Sequence, residues 1–197
     1  MKEPFALSLQ ALAQSIAEAI SPLTARPYAI FGHSMGALLA YEVAVNLSIM
    51  GHQQPRRLFI SGTRPPFLPR KSPPVADLPD AEFLEHLKEL QGTSAKVLGN
   101  CDVMQFFLPI LRSDFRLCET YQRIEPHRLQ VSLTVLSGEQ DQETPEADMR
   151  LWQHVTTDAF VFRQYPGGHF FISDPTMFQD VFEDLSNLQS DFVAPPT

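Results

Sequence analysis

Cysteine is scarce in this chain: 197 residues hold two, Cys101 and Cys118. Two thiols so spaced supply neither a disulfide framework nor a zinc site, and they are expected as buried free thiols of a cytosolic protein. Long apolar runs are missing as well. No stretch approaches the roughly 20 residues of a membrane-spanning helix, and the opening MKEPFALSLQ has no apolar core of the signal-peptide kind. Positive charge is in deficit, with 15 Lys and Arg against 23 Asp and Glu and a formal net charge of −8. That argues against nucleic acid and anionic membrane as main partners. Internal repeats are absent too. What remains suits one soluble, intracellular domain, and an apolar share of 44% is enough to bury a core.

Periodicity then divides the chain. Apolar residues recur at helical spacing from Leu7 to Ile20, and Ser21-Pro22 stops the run. Tyr28 to Phe31, between Pro27 and Gly32, reads as a short buried strand. Met35 to Met50 has helical length and meets a cap at Gly51. A second strand, Arg57 to Ser61, completes a parallel βαβ unit. Thr63 to Pro79 is proline-rich and aperiodic. Three helical patterns follow it, at Asp80–Leu90, Cys101–Leu108 and Pro109–Tyr121, so residues 64–127 are expected to form a helical insertion. Strand patterns resume at Val131–Leu136 and Ala159–Tyr165, with a helix between them from Pro145 to Val155. Asp174-Pro175 opens a last helix to about Leu188, with Asp174 as N-cap, and the tail DFVAPPT is expected to be loose. The sum is an α/β fold: a mostly parallel sheet with helices on its faces.

One short stretch carries chemistry. Gly32-His33-Ser34-Met35-Gly36 lies between a strand and a helix, the context of a G-x-S-x-G nucleophile elbow. Alone, that spacing also occurs in chance loops; its flanks favour the elbow. Such a turn lifts the serine hydroxyl above the sheet, and both flanking residues, Gly32 and Gly36, are expected to be small for steric reasons. The Met35 N–H, at a helix N-terminus, would face a developing oxyanion.

A serine nucleophile needs a base, and six histidines are present. His169 follows the last strand in Pro166-Gly167-Gly168-His169, where two glycines permit a sharp turn. It is the expected base. His52, His86, His127 and His154 fit surface roles, and the His33 side chain should point away from the nucleophile. An acid to orient the base should follow the preceding strand, in Ser137-Gly138-Glu139-Gln140-Asp141. Asp141 is the best candidate, with Glu139 and Glu143 as runners-up. Ser34, Asp141, His169 is the chain order of α/β-hydrolases.

Across nearly its whole length the sequence resembles the type II thioesterases that accompany nonribosomal peptide and polyketide synthases, a branch of the α/β-hydrolases. The stretches that carry the likeness are EPF, RPYAIFGHSMGALLAYEVA, LFISGTRPP, LPDAEFLEHLKELQGT, FFLPILRSDFRLCETY and PGGHFFI. The resemblance implies hydrolysis of acyl or aminoacyl thioesters held on the phosphopantetheine arms of acyl- or peptidyl-carrier domains. It implies Ser34 as nucleophile, Asp141 as orienter, His169 as base, no metal or redox cofactor, and residues 64–127 as a lid. Within that lid Phe67, Leu68, Phe83, Leu84, Leu87, Phe106, Phe107 and Leu108 could line an acyl channel, although helix packing accounts for them equally well. The Arg112-Ser113-Asp114 run fits a structural ion pair or cap, and Trp152 should pack its helix on the sheet.

The chain also departs from the family pattern. The family's opening strands and its FPYAGG-type glycine loop have no counterpart here, and no glycine precedes Gly32. The expectation is a fragment or shortened form of a longer enzyme, with Met35 N–H as the remaining oxyanion donor. Loss of one such donor typically costs about 10²–10³-fold in rate. The strand before Ser34 would become an open edge in a monomer, available for association with another chain. Two other readings stand beside the thioesterase: a catalytically silent carrier-binding module and a generic serine ester hydrolase.

Overall fold

A computed structural model describes residues 5–90 and 92–190; the tail DFVAPPT lies outside them. Four parallel strands, β1 (Ala29–His33), β2 (Arg57–Ser61), β3 (Ser132–Gly138) and β4 (Phe160–Tyr165), stand side by side in chain order. Each neighbouring pair is in parallel register, for example Phe31 with Phe59 and Phe59 with Thr134. β1 forms one edge, as the sequence implied.

The alternation of side chains along the strands assigns the two faces. Leu58, Ile60, Leu133 and Val135 point to one face, where they pack with Ala37, Tyr41 and Ala44 of α2 (Met35–Ile49) and with Met149 and Trp152. Phe59 and Leu136 point to the other and meet Met177 and Val181 of α7 (Pro175–Ser190). α2 is buried nearly all round, because α1 (Leu9–Ile20) covers its outer side with Ala13 and Ala17 against Val43 and Leu47. Ser8 caps α1, its Oγ accepting from Ala11 N at 3.1 Å. α2 ends as expected at Gly51, whose φ of 74° suits glycine. Gly51 N donates to Ser48 O and His52 N to Leu47 O, the two bonds of a Schellman motif. Asp174 receives the N–H of Thr176 at 2.8 Å at the start of α7.

Three helices fill the insertion between β2 and β3: α3 (Asp80–Glu89), α4 (Ala95–Leu98) and α5 (Cys101–Thr120). They share a small core of Phe83, Leu87, Leu98 and Met104. The sequence suggested two helices where α5 is one, because Pro109 looked like a break. Its ring removes one N–H from the helix, but residues 105 and 109 are exposed, so the loss falls on the solvent side of α5. α4, with four residues, was too short to show a period. The expected helix at 145–155 is also different: α6 (Glu146–Met149) tightens into a 3₁₀ helix over Arg150–Val155. Three residues per turn place Met149, Trp152 and Val155 on one side, and all three are 1% exposed or less. Trp152 packs as expected and donates to Thr63 O at 2.8 Å.

The cysteines depart from the expectation of two buried thiols. Cys101 is exposed and Cys118 is half-buried. Among the described residues no helix is long and apolar enough to cross a membrane.

Polar clusters fasten the outer layers. At the root of the insertion, buried Glu42 of α2 accepts from Arg123 Nε at 2.7 Å and Nη2 at 2.9 Å, and from the Tyr121 hydroxyl. Tyr41 Oη both donates to His127 O and accepts from His127 N. Arg112 bridges to Asp80 at 2.7 Å, the ion pair foreseen for that run. On the opposite face, Asp184 of α7 accepts from Arg163 at 2.8 and 3.0 Å and pairs with Arg57 at 3.4 Å.

Candidate active site

β1 delivers Ser34 at its C-terminal end. The Ser34 backbone has φ 55° and ψ −121°, and it is the only non-glycine residue at positive φ among the described residues. A conformation of that kind is strained and needs its surroundings to hold it. The hold is visible: Ser34 N donates to Ser61 O on β2 at 2.8 Å, and α2 starts at the next residue. Gly32 is required by close approach, since a Cβ there would stand 2.1 Å from Gly36 O. Gly36 is not: a Cβ there would meet nothing within 4 Å. The steric reason expected for both glycines therefore holds for Gly32 alone.

β3 and β4 deliver the partners. His169 Nε2 lies 3.0 Å from Ser34 Oγ, and its Nδ1 lies 2.9 Å from Asp141 Oδ2. The loops that carry them are fitted to each other: a Cβ on Gly138 would come within 2.4 Å of Gly168 O. Gln140 N donates to Gly167 O at 2.9 Å, and the Gln140 side chain accepts from Gly167 N. Burial by itself would raise the Asp141 carboxyl. The bonds from His169, Thr144 and Glu143 N outweigh it, and the group is held below the usual carboxylate range. It is thus an anion facing the imidazole. Of the runners-up, Glu139 is exposed, and Glu143 bonds Ser72 Oγ at 3.0 Å and turns its backbone N–H to Asp141.

Met35 occupies the first turn of α2, where an N–H has no partner inside the helix. The two other backbone donors at this corner are committed, Ser34 N to Ser61 O and Gly62 N to Leu136 O. Met35 N–H, in the first turn beside Ser34, has no such bond among the described residues.

His33, whose side chain was expected to point away from Ser34, nonetheless packs against the site. Its ring packs 5.0 Å from that of His169, and Nδ1 lies 2.9 Å from Ser61 Oγ, while Nε2 is buried with no hydrogen-bond partner. Burial first, then the charge of His169, lower its pKa to about 4 against the pull of Asp141. A neutral imidazole thus forms the wall behind the His169 ring. Gly62 makes room for it, since a Cβ there would be 2.6 Å from His33 Cε1.

Two cavities open at Ser34 and His169. One, about 200 Å³, has a mixed lining and runs past Arg64, Pro65, Leu68, Lys71 and Thr144. The other, about 240 Å³, lies under the insertion and is walled by Met35, Val75, Leu90, Phe115 and Cys118, with Asp114 among them. His86, assigned to the surface by sequence, also reaches this wall, edge-on to Phe115 at 5.7 Å. Burial pushes the Cys118 thiol up to about 12, so it stays protonated beside the serine. Of the eight apolar residues proposed for a channel, Leu68 alone borders either cavity. Phe83 and Leu87 pack inside the insertion, and Phe106 and Phe107 are exposed. Val75, Leu90 and Phe115, which line the second cavity, come from separate segments with no shared period, so the sequence did not single them out.

Comparison with known proteins adds to this geometry. A family model described as "Thioesterase domain" matches residues 1–188. The chain is 41% identical over 172 residues to a probable cadicidin biosynthesis thioesterase of Streptomyces griseus, covering 87% of this chain and 47% of that one. It is 39% identical over 173 residues to linear gramicidin dehydrogenase LgrE of Brevibacillus parabrevis, covering 86% and 66%. It thus spans two thirds or less of these curated relatives. Among solved structures it is similar to ClbQ from the colibactin NRPS/PKS pathway, with a TM-score of 0.86, 29% identity, and coverage of 98% of this chain and 82% of that one.

Proposed function

Because the chain belongs to the thioesterase domain family, we propose that it hydrolyses acyl or aminoacyl thioesters carried on the phosphopantetheine arms of carrier domains, clearing stalled groups from nonribosomal peptide or polyketide synthases. The observation that carries this reading is the unbroken array Ser34 Oγ, His169 imidazole, Asp141 carboxylate, with bonds of 3.0 and 2.9 Å. The printed names of relatives from cadicidin and colibactin pathways support the substrate class. The name dehydrogenase borne by one relative is not carried over. Gly32 and Gly36 are spaced to present a hydroxyl, not in the G-x-G-x-x-G spacing that cradles a dinucleotide.

In this proposal His169 Nε2 accepts the Ser34 proton as Oγ attacks the thioester carbonyl. Met35 N–H donates to the oxyanion, and Asp141 stabilises the imidazolium. The tetrahedral species collapses, the pantetheine thiolate leaves, and the proton on His169 is returned to it. Water, deprotonated by the same imidazole, then cleaves the acyl-enzyme and restores Ser34. The test is release of free thiol from acyl-pantetheine or a loaded carrier domain. Ser34→Ala is expected to lower the rate at least about 10³-fold; an undiminished rate in that variant would refute the proposal.

A further inference from the structure

We infer that Asp114 makes the cavity under the insertion selective for thioesters whose acyl group carries an ammonium near the carbonyl, that is, aminoacyl thioesters, and turns away acyl groups bearing a free carboxylate. This rests on the thioesterase reading and narrows its substrate.

The geometry starts on α5. Asp114 and Cys118, and Phe115 and Glu119, are pairs four residues apart, so one face of the helix brings all four to the cavity that ends at Ser34 and His169. At about 240 Å³ the space falls below the roughly 300–1,000 Å³ of sites for drug-sized ligands, which suits a short acyl group. The charges on the wall differ in how they are used. Glu119 accepts from Val75 N at 2.6 Å and Ala76 N at 3.1 Å, and Glu143 accepts from Ser72 Oγ. Arg70 donates to Ser72 O. Asp114 has no ion pair or hydrogen bond among the described residues. Burial pushes its carboxyl above the usual range, and no cation pulls it back.

A half-buried carboxylate without a counter-charge is costly. It is relieved by an entering ammonium and worsened by an entering carboxylate. The three acids on the wall against one guanidinium work in the same direction. The neighbouring Arg112 is not among the residues that wall the cavity, and its guanidinium is already engaged by Asp80 and Ala76 O.

The test uses pantetheine analogues in which a methylene replaces the thioester sulfur, bearing alanyl, propionyl or succinyl groups, bound to the Ser34→Ala chain. The alanyl analogue is expected to bind about tenfold tighter than propionyl, with succinyl weakest. Adding Asp114→Asn should bring the alanyl-to-propionyl ratio close to one. Equal or weaker binding of alanyl in the Ser34→Ala chain, no binding of any analogue, or a ratio that Asp114→Asn leaves unchanged would each overturn the inference. Ser34-dependent thiol release from alanyl- and propionyl-pantetheine is measured in parallel. Its presence without selectivity sinks this inference alone, and its absence with both substrates sinks the hydrolase reading.

Discussion

At the level of single residues, the elbow separates two glycines that the motif treats alike. Gly32→Ala is expected to abolish the folded elbow, because the new Cβ has only backbone to meet. Gly36→Ala should be tolerated or stabilising by about 0.5–1 kcal/mol, the usual gain of alanine over glycine inside a helix. Thermal unfolding of the two variants checks this, and a Gly36→Ala chain as damaged as Gly32→Ala would be the contrary result. The motif was legible in the sequence, as were Ser34, Asp141 and His169, because each sits at the C-terminal end of a strand. His33 was not. Alternation along a strand sends it away from Ser34, and only the fold shows that the base loop from β4 comes to rest on that side.

His33 also sets a pH response. Its pKa is about 4 in the folded chain against 6.5 ordinarily, so between those values the unfolded chain binds more protons. Stability therefore falls as pH drops from about 6.5 toward about 4. The lowered carboxyl of Asp141 adds a loss in the same direction at more acid pH, as it is protonated. Melting temperatures at about pH 7 and about pH 5 should show a smaller drop in His33→Asn than in the unaltered chain. An identical drop would mean that the buried ring is not what titrates.

Among the elements, the insertion depends on one root. Its last residues, Tyr121 and Arg123, converge on Glu42, which is 2% exposed. Burial first, then the bond to Glu42, raises the Tyr121 hydroxyl far beyond its usual pKa, so it stays a donor. Glu42→Gln leaves the Arg123 charge without its partner. Since Arg123 keeps 27% of its side chain exposed, the cost should be about 1–3 kcal/mol, less than for a fully buried pair. Denaturant titration reads this directly; a change within about 0.5 kcal/mol, as for an ordinary surface site, would remove Glu42 from the role of anchor. Helix existence in this region was legible from period, but continuity was not. Whether Pro109 breaks α5 is decided by the side of the helix on which the loss falls, which is the solvent side. Whether 146–155 is α or 3₁₀ is decided by the need to bury Met149, Trp152 and Val155 together.

For the whole molecule, the strand order repeats the chain order. Each strand pairs with the one before it, and each crossover covers a face of the sheet as it forms. The hydroxyl of Ser34 is supplied by the first of these strands, the carboxylate of Asp141 follows the third, and the imidazole of His169 follows the fourth. A chain that emerges from the ribosome N-terminus first at about 5–20 residues per second can lay down its sheet in the order of its emergence. Ser34 and His169 cannot come within hydrogen-bond distance until β4 has docked. Under the proposed mechanism the serine therefore lacks its base throughout synthesis, until the last section of sheet arrives.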